Sequence, residues 1–384
     1  MATLRICHVI TGLHMGGAEM MLFRLLSATH RERYEPVVIS LINKGSLGAR
    51  IEALGIPVYT LDMSPGLPAV RGVFKLIRLV RQLNPAVLQG WMYHGNLFAS
   101  LAGIFARLPV VWGIHHSLHD LSAERWGTRA VIRASRWCSR LPAATVYVSR
   151  VSADQHQCLG FQDRQRVLIP NGFDGDTFKP DAEARADFRA EVGAGDRDVL
   201  IGMIARLHPM KDHDNLFSAI AKLTRSFTSV KLILAGSRVD HANVDLKDTL
   251  AAYGLDSHTV MLGERSDTAR IMAGLDIQCV SSSHGEAFPM VVGEAMASGV
   301  PCVVTDVGDA AWLVGDGGLV VPPRDSDALA TALSELIQMG PELRRIRGEV
   351  ARQRVLAHFS LELTADAYHG LYEQLLQKAP VLAG

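Results

Sequence analysis

Two cations and two carboxylates are the side chains best placed to do chemistry in this sequence. Glu286 and Glu294 lie in SSSHGEAFPMVVGEAMASGVPCVVTD, Ser281 to Asp306, which reads as a strand end, a polar loop, a short helix and another strand. Pro289 suits the first helical position, where a missing N–H is no loss, and Gly299 suits the stop. The segment Phe288-Pro289-Met290-Val291 then offers free backbone N–H groups at the strand ends, an anion site backed by the helix dipole. Eight residues along one helix would separate the two glutamates by roughly 12 Å. The sequence instead puts Glu286 in the loop, so they read as two acceptors for ligand hydroxyls and not as an acid/base pair. The neighbours of Glu294 (Val291, Val292, Ala295, Met296) are apolar, so its carboxylate requires a partner. Arg206 and Lys211 follow the apolar run VLIGMIA. Taken alone they describe a solvated basic loop. At the mouth of a parallel sheet, a planar fork and a point charge suit a diphosphate. They can stand in for a magnesium ion on a departing nucleoside diphosphate. Together these groups describe a nucleotide-sugar pocket.

Other candidates are weaker. Thr11 to Glu19 follows a strand and opens a helix, and Gly16 and Gly17 allow close backbone approach. The spacing is not that of a dinucleotide fingerprint, and no acidic residue ends the second strand. His115 comes at the end of the apolar run PVVWGI, with His116 and His119 beside it. No second ligand cluster supports a zinc reading there. Asp174-Gly-Asp176 follows Asn171-Gly172 and reads as a turn, not a metal-binding DxD. Arg125, Arg129, Arg133, Arg136 and Arg140 form one helical stripe with Trp126 and Trp137 interleaved. Arg71, Lys75 and Arg78 form a second, near Phe74 and Ile77. Such stripes suit an anionic membrane surface, and equally a crossover helix with a solvated basic face. No nucleic-acid motif accompanies the charge, so no nucleic-acid partner is expected.

These residues need a scaffold of parallel strands. Strand-like runs alternate with helical patterns in both halves: LRICHVI, YEPVVISLI, PVYTL, AVLQGW, PVVWGI and ATVYVS, then VLIGMIA, VKLILAG, TVMLG, DIQCVS, PCVVT and GGLVV. That alternation predicts two α/β domains with parallel sheets, binding ligands at the carboxyl ends of their strands. At 384 residues the chain suits two domains. The polar stretch from Phe178 to Asp198 is the expected joint, giving domains 1–178 and 179–361. The C-terminal stretch from Pro341 to Lys378 reads as two helices without a strand. Hydrophobic content of 48% with 20% charged residues fits a soluble globular protein. No apolar run reaches membrane-spanning length, and no signal peptide is evident. Five scattered cysteines point to reduced core residues, hence a cytoplasmic protein, with no disulfide frame or cysteine zinc site. Net charge is zero, but residues 1–178 are basic and the remainder is acidic to the same extent.

GGAE at 16–19, PNGFD at 170–174, ARLHPMKD at 205–212, the Glu-x7-Glu of 286–294 and GVP at 299–301 resemble, in order and spacing, the retaining GT-B glycosyltransferases of family four. Within the family the chain looks like bacterial enzymes of surface polysaccharide and lipopolysaccharide synthesis. The resemblance covers nearly the whole chain and implies two Rossmann-like domains facing each other, the last helix (about 362–384) crossing back to the first. It implies that Arg206 and Lys211 hold the donor diphosphate and that the Gly16-Gly17 loop closes over it. Glu294 would bind the ribose, Glu286 the donor sugar, and Gly263, Glu264 and Arg265 would lie near the base. His115 resembles a histidine that positions the sugar, with His116 as rival. Neither metal nor other cofactor is expected. No carboxylate is an evident covalent nucleophile, so the two-step route of retaining hydrolases is not supported. The resemblance leaves UDP, GDP and ADP open as the donor nucleotide; the acceptor would be a glycan or lipid-linked saccharide. Rival readings are an epimerase or hydrolase of nucleotide sugars, and a non-catalytic donor-binding subunit.

Overall fold

Residues 3–63, 69–118, 120–123 and 125–378 are described in a computed structural model of the chain. His119 falls outside the described residues. The chain divides into two compact units, Met1–Gly172 with Leu361–Gly384, and Phe173–Ser360.

Short apolar runs form the strands because a parallel sheet is covered by helices on both faces, and its strands need no alternating polar side. In the first unit the strands are β1 (Leu4–Ile10), β2 (Tyr34–Ser40), β3 (Val58–Thr60), β4 (Val87–Trp91), β5 (Val110–Ile114), β6 (Ala144–Tyr147) and β7 (Arg166–Leu168). They line up as β3-β2-β1-β4-β5-β6-β7, with β1 pairing β2 on one side (Ile6 opposite Pro36) and β4 on the other (Ile6 opposite Val87). In the second unit they are β8 (Val199–Ile204), β9 (Val230–Ala235), β10 (Thr259–Met261), β11 (Ile277–Val280), β12 (Cys302–Thr305) and β13 (Gly318–Val321), in the order β10-β9-β8-β11-β12-β13. Every pairing is parallel. Strand order reverses between β1 and β4 and again between β8 and β11. At such switch points the connections part to opposite faces and leave an opening at the carboxyl ends. These are the two places where the fold offers a ligand room.

Apolar clusters cover the sheets. One cluster packs Ile6, Val38, Val87 and Val111 against Tyr368, Leu371, Tyr372 and Leu375 of the final helix, Leu361–Lys378. That helix thus belongs to the first unit, and the Tyr372 hydroxyl reaches Gln89 at 3.4 Å. The second unit buries Ile201, Leu232, Ile277 and Val303 against Leu216, Ile220, Leu329 and Leu333. Cys7, Cys279 and Cys302 are buried and all five cysteines are free thiols.

Several details depart from the sequence reading. β7 was not expected: it is three residues at the sheet edge, none of them buried. The joint is not at 178 but between Gly172 and Phe173. Phe173 donates its N–H to the Phe359 carbonyl at 2.9 Å and is fully buried beside Phe288, ring centroids 6.1 Å apart. The polar stretch from 178 to 198 is part of the second unit. Its helix Ala182–Glu191, capped by Asp181, buries Phe188 against the helix Thr268–Gly274. The Arg125–Arg140 stripe is interrupted too. The helix runs Trp126–Cys138, so Arg129, Arg133 and Arg136 lie on it while Arg125 and Arg140 flank it.

Two helical glycines separate close packing from spare freedom. A Cβ on Gly348 would lie 1.9 Å from the Gly299 carbonyl oxygen, whereas one on Gly370 would meet nothing within 4 Å. Gly348→Ala is expected to destabilise the chain by about 1–3 kcal/mol through overpacking. Gly370→Ala should stabilise it by about 0.5–1 kcal/mol by raising helix propensity. Urea denaturation of both variants checks the pair; equal shifts in either direction would contradict the packing described.

Candidate active site

In the second unit, the loops after β8 and β11 meet at the switch point. The chain leaving β8 continues beside β9: Ala205 N–H bonds the Ala235 carbonyl at 2.8 Å and Leu207 N–H the Ser237 carbonyl at 3.0 Å. Gly236, at φ +145°, permits this approach, since a Cβ there would lie 2.2 Å from the Ala205 carbonyl oxygen. Arg206 emerges from this extension exposed, and its guanidinium has no hydrogen bond or ion pair among the described residues. A short 3₁₀ turn, Pro209–Lys211, follows, with the His208 ring accepting from Met210 N–H at 3.2 Å.

Lys211 closes this turn onto the other loop. Its ammonium pairs with Glu286 Oε1, which also accepts from Ser282 Oγ at 2.6 Å. Glu286 Oε2 has no protein partner among the described residues. Both side chains are largely buried, at 15% and 10% exposure, so each charge depends on the other. Backbone contacts repeat the link. Ser281 Oγ donates to the Lys211 and Asp212 carbonyls at 2.9 and 3.0 Å, and Ser283 N–H to the Met210 carbonyl at 2.9 Å. Thr305 Oγ1, from β12, donates to the Ser282 carbonyl at 2.6 Å.

The helix of this loop runs Met290–Ala297, with Pro289 as its N-cap and not its first residue. Pro289 keeps an extended ψ of 110°, which starts the helix one position later than the sequence reading has it. Val292 N–H bonds back to the Pro289 carbonyl at 3.2 Å. Met290 and Val291 therefore supply the first-turn N–H groups without intrahelical acceptors. Phe288 is buried against Phe173 and Trp312 and anchors the entry. Glu294 is half-buried at the fifth helical position. Gly299, at φ +73°, ends the helix two residues past Ala297, as expected of a left-handed stop. The site's field is positive. Burial first, then repulsion from Arg206, His284 and Lys211, pushes the His208 imidazole below its usual range. Burial and then Lys211 push His213 down to about 4.

Gly263, at φ +67°, follows β10 and is stitched to the β9 side. Its N–H bonds the Val239 carbonyl at 2.7 Å and its carbonyl accepts from Gly236 N–H at 2.8 Å. Glu264 is exposed beside it. Arg265 is engaged elsewhere, bridging Asp267 at 2.6 Å and Glu191 at 2.7 Å. These pairs raise its pKa and, with the Arg265 bond first, hold Asp267 down at about 2.

In the first unit, Gly16 caps the helix Gly17–Ser27 after β1. Its φ of −163° is ordinary extended backbone. The nearest atom to a Cβ added there is a Glu19 carboxylate oxygen, at 2.3 Å, so a larger residue would displace that side chain. Glu19 is the third helical residue, and burial raises its pKa. Gly17 faces open space. His115 directly follows β5. Asn96 fixes that strand end, bonding the Gly113 carbonyl at 3.1 Å and Gly113 N–H at 3.2 Å. The His115 ring stacks on Trp91 at 4.8 Å, and Trp91 Nε1 donates to His8 Nδ1 at 3.2 Å. Burial pushes His115 down to about 4, with neighbouring Asn171 opposing the shift. Both His115 ring nitrogens are shielded and lack a hydrogen-bond partner. His116 is occupied differently: its ring meets the Tyr93 hydroxyl at 3.4 Å and its carbonyl accepts from Ser152 Oγ at 2.6 Å. Trp91, His8, Asn96 and Ser282 escaped the sequence reading. Trp91 lay in a strand run and Ser282 in a serine triplet before Glu286, but neither pattern names a contact. Asp174 is a turn residue as expected, accepting from Asp176 N–H at 2.9 Å and Thr177 N–H at 3.0 Å. Among the described residues one group has metal-ligand geometry, and it is on none of these loops.

Residues 15–177 match the family described as Glycosyltransferase Family 4, and residues 184–354 the one described as Glycosyl transferases group 1. The lipopolysaccharide core biosynthesis mannosyltransferase LpcC of Rhizobium leguminosarum bv. viciae is 31% identical over 335 residues, 84% of this chain and 89% of that one. A D-inositol 3-phosphate glycosyltransferase of Saccharomonospora viridis is 30% identical over 226 residues, 56% of this chain and 51% of that one. The crystal structure of Anabaena HepE in complex with UDP superposes with a TM-score of 0.84, at 22% identity, over 97% of this chain and 100% of that one. With 31% identity to a mannosyltransferase over 84% of the chain, and both halves matched in order, the chain belongs to the family 4 glycosyltransferases of GT-B fold.

Proposed function

We propose that the chain moves a sugar, with retention at the anomeric carbon and without a metal, from a nucleoside-diphosphate sugar to a glycan or lipid-linked acceptor in surface-polysaccharide synthesis. The observation that carries this is the switch point of the second unit: an unpartnered Arg206 lies on the loop after β8, and Lys211 ties that loop through Glu286 to the loop that leads into the helix Met290–Ala297. The diphosphate is assigned to Arg206, Lys211 and the N–H groups of Met290 and Val291. Glu286 Oε2 is assigned to donor-sugar hydroxyls and Glu294 to the ribose; the Gly263–Arg265 loop is assigned to the base. His115, neutral and with unpartnered ring nitrogens, is assigned to the sugar in preference to His116. In the transfer step the donor C1–O bond breaks as the acceptor oxygen bonds C1 on the same face. The acceptor proton passes to the departing diphosphate oxygen. The protein supplies positioning and positive charge. UDP sugars are the first donors to test, because HepE was crystallised with UDP.

The same reading places the protein on the cytoplasmic face of an anionic membrane. The helices Ala69–Leu83, Met92–Ala106 and Trp126–Cys138 are neighbours in the first unit and contain no Asp or Glu. They expose Arg71, Lys75, Arg78, Arg133 and Arg136 beside Phe74 (68% exposed), Trp126 (80%) and Trp137 (81%). Arg81 ties the first two together through the Phe105 carbonyl at 3.1 Å. Lys75 is partly spent on the Leu61 carbonyl at 3.2 Å. Basic groups near an anionic surface contribute about 1 kcal/mol each, and exposed aromatics suit the interface. No helix among the described residues is long and apolar enough to cross a membrane.

Two outcomes are expected. Thermal unfolding should shift upward with one nucleotide family from a panel of UDP, GDP, ADP and their sugars, by about 2.7 kcal/mol at roughly 100 times Kd. Glu294→Ala should abolish the shift. Arg206→Ala should then reduce transfer about 10²–10³-fold, or ~3–4 kcal/mol, with an unchanged urea midpoint because its side chain bonds nothing. Wild-type turnover in Arg206→Ala would sink the assignment, and no shift with any nucleotide would favour a non-catalytic subunit. For the membrane, the protein should co-sediment with phosphatidylglycerol vesicles and not with phosphatidylcholine, and release as salt rises. Arg133→Glu with Arg136→Glu should abolish sedimentation; its persistence, or equal binding to both lipids, would count against this surface.

A further inference from the structure

The final helix, Leu361–Lys378, carries Asp366 and His369 three residues apart, so both project from one face. His30, in the turn before β2, meets them. Its Nε2 lies 3.2 Å from an Asp366 oxygen, and its ring is 5.3 Å from His369, edge-on at 84°. One ligand atom from each of the three residues lies within 4.8 Å of the other two. Around a tetrahedral zinc ion, with bonds of about 2.0–2.2 Å, such atoms sit roughly 3.4 Å apart. His30 and Asp366 are exposed, and side-chain rotation closes that difference.

A second layer of contacts orients these groups as it does around bound metals. His30 Nδ1 faces Glu32 Oε1 at 3.4 Å, the carboxylate–histidine arrangement that fixes which ring nitrogen is left for an ion. His369 is buried and stacked on Tyr34 at 4.1 Å, and the Tyr34 hydroxyl is held by Glu373. The ring is therefore fixed in place.

We infer that His30, Asp366 and His369 bind a zinc ion that clamps the final helix to the turn before β2. Two imidazoles and one carboxylate suit zinc better than magnesium or calcium, which take mostly oxygen ligands. Three protein ligands leave a fourth position for water. The three residues come from opposite ends of the chain, so an ion here stabilises the folded first unit by binding it in preference to the unfolded chain.

The test uses full-length protein stripped with chelator and titrated with zinc chloride by calorimetry at pH 7.5. One ion should bind per chain and raise the unfolding temperature. Asp366→Asn and His30→Gln alter exposed side chains, and each should weaken binding by at least ~10-fold and remove the thermal shift. Glu32→Gln should weaken binding to a smaller degree. Wild-type affinity in both ligand variants would place the ion elsewhere, for example at the exposed Cys158 thiol, and overturn the inference. Failure of the wild type to bind one equivalent would overturn it as well. Because the readouts are binding and unfolding, neither result depends on the transfer reaction.

Discussion

The Lys211–Glu286 pair is the interaction on which the second unit's site depends. Both members are largely buried, and removal of one would leave the other's charge uncompensated. Their union joins the loop after β8 to the loop after β11. Arg206, by contrast, satisfies nothing in the protein. The site thus holds one cation neutralised in place and one in reserve, with the start of a helix beside them. A diphosphate of the kind proposed would meet a net positive field. Lys211 and Ser282 both use one Glu286 oxygen, which leaves the other without a protein partner among the described residues.

The loops can hold this arrangement because their backbones are fixed by more than side chains. Gly285, at φ +78°, brings the chain against Met210, where a Cβ would lie 2.6 Å from the sulfur. Gly308, at φ +62°, comes equally close to the Glu286 carbonyl, where a Cβ would lie 2.3 Å from the oxygen. Left-handed conformations of this kind cost a residue with a side chain about 1–2 kcal/mol before any clash. Serine and threonine hydroxyls on neighbouring carbonyls close the remaining gaps. Preorganisation here is a matter of backbone register, and the charged side chains inherit it.

Much of this was legible because the informative residues lie close together in sequence or at strand ends. Among the described residues twelve of the thirteen strands announce themselves as apolar runs, since parallel strands are covered on both faces. β7 was missed, its Val167-Leu168 pair lying exposed to half-buried at the sheet edge. Arg206, Lys211, Glu286 and Glu294 could be picked out because polar groups follow apolar strands at the carboxyl end, where the fold puts its openings. What stayed hidden depends on distant partners. Nothing local says that Phe173 packs on Phe288, so the joint was read late. The choice between His115 and His116 rests on Trp91, Tyr93 and Ser152. The expectation of no metal came from the resemblance, the Arg/Lys pair and the cysteine spacing; His30 and His369, far apart in sequence, come together only when the final helix returns to the first sheet.

That return has a consequence for how the two ends of the chain are used. Tyr368, Tyr372 and Leu375 bury themselves among strand residues, so the first unit has no complete core without this helix. An apolar face alone fixes such a helix by area, with little direction, because hydrophobic contact is non-directional. Direction comes from polar contacts: Thr364 on the Pro170 carbonyl at 3.2 Å, Tyr34 and Arg33 on Glu373, and His30 on Asp366. All but the first lie along one edge of the helix, on the turn before β2 and the strand's first residue. The register of the final helix is therefore set at the same place where its histidine and carboxylate converge, and a ligand there would act on the step that completes the unit.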